Sequence, residues 1–129
     1  MSRPIKFRAW DKADLIMYQD IQYGIRFEDG SLYTFAQFLN NEGYHEFDIM
    51  EFTGLTDRNG VEIYEGDILH LRGYGNYEVT YDAPCFVTLY IGNITETFLS
   101  MNEFDNQDDA REYEVIGNIY ENKELLDND

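Results

Sequence analysis

Residues 52–69, "FTGLTDRNGVEIYEGDIL", place two glycine turns around a short apolar segment, and the fold class turns on what those turns do. In "TDRNGV", Asp57 is positioned to accept backbone hydrogen bonds at the start of a turn, and Gly60 can take the positive φ that closes it. The chain reverses there. "VEIY" is long enough for one strand only, after which Gly66 redirects the backbone, Asp67 caps amides at the bend, and "DILHLR" begins a further strand. With Gly54 and the later Gly117, these positions fix backbone geometry, as a folding signature would.

The flanking residues agree. Upstream, "FDIMEFT" sets Phe47, Ile49 and Glu51 against Asp48, Met50 and Phe52, so both faces carry apolar groups as in a central strand. Thr34 and Gln37 fit a capping box, Phe35, Phe38 and Leu39 share a face, and Gly43 can end the turn in the left-handed conformation, which predicts one short amphipathic helix. "IQYGIRF" and "SLYTF" stand either side of "EDG", where Asp29-Gly30 suits a hairpin. "IKFRAW" alternates Ile5, Phe7 and Ala9 with Lys6, Arg8 and Trp10, predicting a strand with one buried face and one basic outer face. The polar turn "DKAD" and the segment "LIMY" follow it.

Downstream, "YEVTY", "FVTLYI" and "ITETF" are separated by "DAPC" and "GN", and "YEVIGNIY" supplies a last strand. Strands this closely spaced favour closure or strong bending, because closure removes exposed edges. The expected fold is mainly β, a β-rich α+β chain built as a bent antiparallel sheet or small SH3-like barrel with one short helix. Residues 1–60 form a β-rich part with the helix and residues 61–129 a barrel-like part, as two subdomains or one continuous domain. "NEFDNQDDARE" is expected to be a surface loop and "NKELLDND" at most one helical turn.

Composition narrows the function classes. The 129 residues suffice for one core, burying roughly two-thirds of the surface of the unfolded chain. The start lacks the apolar stretch of a signal peptide and no apolar run could span a bilayer, so the expected location is the cytoplasm, without a membrane partner. The net charge is −17, divided into +3 over residues 1–12 and −20 over the remainder. Such a body repels phosphate, which disfavours nucleic acid as a partner. It could instead mimic a nucleic acid, face a basic partner, or serve as a solvated surface. Cys85 is the only cysteine, so no internal disulfide is possible, and it reads as a buried thiol rather than a reactive one.

No motif assembles an active site. "RGYGNYE" contains a G-x-G but has no helix after it and lacks a third glycine, so a hairpin turn is expected. "DNQDD" from Asp105 resembles a calcium loop, but Ala110 stands where glycine is needed and Ile116 where a bidentate Glu is needed. His45 and His70 have no metal-ligand spacing, and His70 alternates with Leu69 and Leu71 as an ordinary strand residue. Glu65 and Asp67 remain turn residues, no G-x-S-x-G occurs, and no catalytic residue, metal or cofactor is expected.

"IKFRAWD", "FTGLTDRNGVEIYEGDIL" and "VIGNIYENKELL" together resemble the YopX family of small proteins encoded by bacteriophages and prophages. The three blocks run in order across nearly the whole chain, and the one departure is Lys123, where such sequences often have proline. The resemblance implies a mainly β phage accessory protein in the bacterial cytoplasm, with self-association, and brings no catalytic residues.

Three functions follow as expectations. The first is a non-enzymatic interaction module that forms homo-oligomers and binds a host or phage protein or other macromolecule, using the face of Lys6, Arg8 and Trp10. The second is a small-molecule binder or enzyme with Tyr74, Tyr77, Tyr81 and Phe86 lining a barrel mouth. The third is nucleic-acid binding by that same basic strand.

Overall fold

The computed structural model describes residues 4–40, 46–92 and 101–126. Gly43, His45 and the segment "ITETF" lie outside them. The chain divides into two compact units, Met1–Phe52 and Thr53–Asp129, and the division falls within a strand.

In the first unit, β1 (Phe7–Asp11) lies between β2 (Ile16–Tyr18) and β5 (Phe47–Thr56), antiparallel to both, with Ala9 opposite Tyr18 on one side and Ile49 on the other. β3 (Ile25–Arg26) and β4 (Leu32–Tyr33) form the expected hairpin. Its turn is closed by Gly30 N–H donating to the Phe27 carbonyl at 2.9 Å, and Asp29 Oδ1 accepts from Ser31 N at 2.8 Å. "IQY" is a 3-10 turn, not a strand.

Helix α1 (Phe35–Asn40) starts as the sequence predicts. Gln37 N–H donates to Thr34 Oγ1 at 3.3 Å while Gln37 Oε1 accepts from Thr34 N at 2.8 Å, a reciprocal cap that contributes about 1 kcal/mol. α1 buries Phe38 completely and leaves Leu39 about half exposed. Phe38 joins Ala9, Ile21 and Phe47 in the core of this unit, with Tyr18 and Tyr33 packed against it.

The expectation of a basic outer face on β1 is overturned. Arg8 and Trp10 are buried at 6% and 7% exposure, while Ala9 between them is at 0%. β1 is an interior strand, and Arg8 stands opposite Met50 of β5, donating from Nε to Met50 Sδ at 3.4 Å. Lys6 Nζ lies 5.1 Å from the centroid of the Phe52 ring. Both side chains lay apolar stems along the β5 surface, which alternation within one strand could not reveal.

The second unit holds the end of β5, then β6 (Glu62–Tyr64), β7 (Asp67–Leu71), β8 (Gly75–Asp82), β9 (Cys85–Ile91), β10 (Met101–Glu103), helix α2 (Gln107–Ala110) and β11 (Tyr113–Asn118). Five strands form one antiparallel sheet in the order β10-β9-β8-β7-β11, a meander whose last strand returns to the free edge of β7. It curls into a half-barrel, the bent-sheet form of the expected fold. Its core consists of Leu55, Ile63, Leu69, Val79, Phe86, Phe104 and Ala110, with Tyr113 and Val115 against it.

The stretch at 52–69 behaves as its turn chemistry dictates. Asp57, 2% exposed, accepts from Asn59 N (2.8 Å) and Val61 N (2.9 Å) on Oδ1 and from Val115 N (2.8 Å) on Oδ2, so the turn is pinned to β11. Gly60 has φ +80°, which L side chains rarely adopt, and Gly54 and Gly66 are also left-handed at +89°. Gly66 donates to the Val79 carbonyl and accepts from Ile119 N, and Asp67 Oδ2 accepts from Tyr64 N at 2.8 Å. Gly117 has a different reason: it follows a bulge in β11, and a Cβ there would come within 2.5 Å of Asn122 Oδ1.

Candidate functional site

The second unit carries a cleft of about 550 Å³ built from two connections. The β7–β8 turn, the hairpin expected from "RGYGNYE", supplies Arg72 and Tyr74. The segment from β10 to β11 supplies Glu103, Phe104, Asp109, Glu112 and Tyr113. That segment is not the plain loop expected. Asn106 Oδ1 caps Asp108 N at 2.8 Å, and the one-turn helix α2 buries Ala110. Gln107 then grips the Thr56 backbone at both ends, donating to its carbonyl at 2.8 Å and accepting from its N–H at 2.9 Å. Behind the helix, Phe104 N–H donates to the Phe86 carbonyl at 2.9 Å.

The aromatic wall is ordered by edge contacts. Tyr113 meets Phe104 at 5.6 Å and Tyr77 at 5.8 Å, both nearly perpendicular. Burial pushes the Tyr113 phenol up and the Asp109 carboxylate adds to the shift; the nearby Thr88 hydroxyl opposes it without reaching hydrogen-bond geometry. Around this wall stand the carboxylates of Glu103, Asp109 and Glu112. With the described residues they make no ion pair or side-chain hydrogen bond, and neither does Arg72. The neighbouring Arg111, in contrast, is committed to Asp108 at 3.1 Å. A cation entering the cleft would meet Phe104 and Tyr113 together with three carboxylates, against the single positive charge of Arg72.

The expected aromatic pocket is not assembled as read from sequence. Tyr74 is 71% exposed and lines the cleft, but Tyr77 and Phe86 are buried at 8% and 5%. Tyr81, about half exposed, packs on Phe86 at 5.2 Å near the far end of β8. Tyr77 and Phe86 therefore belong to packing, because the curl of the sheet turns them inward, and Tyr81 stays half exposed outside the cleft lining. What sequence reasoning missed is the pairing of Tyr113 with the acids at 103, 109 and 112; the one visible signal was an aromatic residue closing an acidic run.

Other expected positions are ordinary. His70 is exposed on β7, its Nδ1 2.8 Å from Asn76 Oδ1. Among the described residues no group of His, Cys, Asp or Glu is arranged to hold a metal ion. Cys85 is half-exposed rather than buried, because it begins β9 at the turn. Its thiol is pushed up by partial desolvation and then by the carboxylates of Glu103, Asp105 and Asp82, which disfavours the thiolate. No described helix is long and apolar enough to cross a membrane.

The crystal structure of protein EF1440 from Enterococcus faecalis is similar to 98% of this chain over 100% of its own, at 29% identity and a TM-score of 0.64. No curated protein matches the chain. The family model described as YopX protein matches residues 6–127, nearly the whole length, and the chain belongs to the YopX family.

Proposed function

We propose that this is a phage or prophage accessory protein of the bacterial cytoplasm that works without catalysis. In this reading it is an acidic module that assembles with itself and docks a basic segment of a host or phage protein in the cleft of the second unit. One observation carries the reading: three carboxylates that make no ion pair with the described residues line one cleft with Phe104 and Tyr113, in a chain of net charge −17. Carboxylates left uncompensated repel one another and attract a cationic partner, giving fast, salt-sensitive association. Direct nucleic-acid binding loses its support with the burial of Arg8 and Trp10.

The test is calorimetric titration of the protein with a lysine- and arginine-rich peptide, repeated on the triple variant Glu103→Gln, Asp109→Asn, Glu112→Gln. Binding by the parent should weaken with salt, and the triple variant should bind about tenfold or more weakly. Equal affinity for both proteins would remove the cleft from the reading. Light scattering on the same samples reads self-assembly, and a monomer mass would remove that part.

A second reading, a small-molecule site, draws on the cleft volume of about 550 Å³, which lies within the roughly 300–1,000 Å³ of ligand pockets. It predicts thermal stabilisation by a single compound from a panel of nucleotides and sugars.

A further inference from the structure

The first unit contains a second, smaller cleft of about 260 Å³ whose walls are four aromatic rings. Tyr18 comes from β2, Phe27 from the approach to the β3–β4 turn, Tyr33 from β4 and Phe47 from the start of β5. The rings close a circuit. Centroid separations are 5.9 Å for Tyr18–Phe27, 6.3 Å for Phe27–Tyr33, 5.5 Å for Tyr33–Phe47 and 6.4 Å for Phe47–Tyr18. Three of the four rings are only partly buried. The four rings all line the cleft, with the buried Phe38 ring 4.7 Å from both Tyr33 and Phe47, and a cation seated in the cleft would come within the ~6 Å reach of a cation–π interaction with them.

The same cleft is lined by the carboxylates of Asp11, Asp14 and Asp29, and among the described residues no Lys or Arg lines it. These walls are held in advance of any ligand. Asp29 Oδ1 accepts from Ser31 N at 2.8 Å and Ser31 Oγ at 2.6 Å, and the Ser31 bonds hold its carboxyl below the usual range. Asp11 Oδ1 accepts from Ala13 N at 2.9 Å and Asp14 N at 3.1 Å. The Tyr33 hydroxyl donates to the Gln37 carbonyl at 3.2 Å, which fixes that ring. Burial, followed by the charges of Asp11 and Asp14, raises the Tyr18 phenol, so the field of those carboxylates reaches the rings.

From this arrangement we infer that the first unit binds a quaternary ammonium head group, seated among Tyr18, Phe27, Tyr33 and Phe47 with the aspartates balancing its charge. Ring faces offer a cation attraction without hydrogen-bond acceptors. A trimethylammonium has no N–H to satisfy and loses nothing where it faces the rings, whereas a primary ammonium or guanidinium must turn its N–H groups to the aspartates. The volume also suits a head group, being below that of drug-sized ligand pockets. This site is separate from the acidic cleft proposed above and does not depend on it.

Titration calorimetry with choline, with its uncharged carbon isostere 3,3-dimethylbutan-1-ol, and with a short peptide bearing trimethyl-lysine tests the inference on the full chain. Choline or the peptide should bind saturably, and the isostere about tenfold or more weakly than choline. The tighter of the two ammonium probes identifies the source as a free compound or a protein-borne group. Phe27→Leu, at a half-buried hairpin position, should weaken ammonium binding about tenfold, with its amide NMR spectrum reporting an intact fold. Isostere binding as tight as choline would make this an apolar cleft only, and absence of saturable binding of both ammonium probes up to about 10 mM would overturn the site.

Discussion

Asp57 is the side chain on which the most backbone depends: its two oxygens serve three amides, one of them from β11. Asp57→Ala leaves those amides without their acceptor, and the expected cost is about 2–4 kcal/mol, read as a lower urea midpoint at unchanged slope. A loss under about 1 kcal/mol would mean that water replaces the carboxylate. Glu78 is the opposite case. It stands in β8 between Ile68 and Leu89 of the adjacent strands, and burial pushes its carboxyl up. The folded chain therefore holds this proton to higher pH than the unfolded chain. Its contribution is complete below the ordinary carboxylate range and is lost as pH rises through the folded value. Glu78→Gln should be more stable than the parent at about pH 7 and match it near about pH 4; lower stability at pH 7 would reveal a partner that stabilises the carboxylate. The Asp57 role was legible because turn chemistry acts over a few residues, although its bond to Val115 was not. Glu78 carries no local mark of its burial, since the residues opposite it belong to other strands.

Elements were legible where their ends carry local chemistry. The Thr34–Gln37 cap and the Asp29-Gly30 hairpin join residues close in sequence, so their hydrogen bonds form much as the pattern suggests. β10 and α2 were hidden inside an acidic run. β10 exists by pairing with β9, and α2 is held by Gln107 on Thr56, partners that no local window contains. The basic strand failed in the same manner. Alternation in β1 was real, but both of its faces are buried, Ala9 and Asp11 on one and Arg8 and Trp10 on the other. A strand's pattern shows which side chains share a face; only its neighbours decide whether that face is open.

For the molecule as a whole, charge sets the expected behaviour in solution. A net charge of −17 on 129 residues opposes compaction, and screening should relieve it. Raising salt from about 0.02 M to about 0.3 M should raise Tm by a few degrees, measured by circular dichroism. An unchanged or lower Tm would mean that attractive pairs offset the repulsion. The mainly β class, the turns at Asp29-Gly30 and Asp57–Asp67 and the family blocks were present in the linear chain, because turns, caps and alternation are local and the family signature is a sequence property. The acidic cleft and the four-ring cage were not. Their side chains come from β strands and loops far apart in sequence, and rings or carboxylates form a site only when pairing register and sheet curl bring them to one wall.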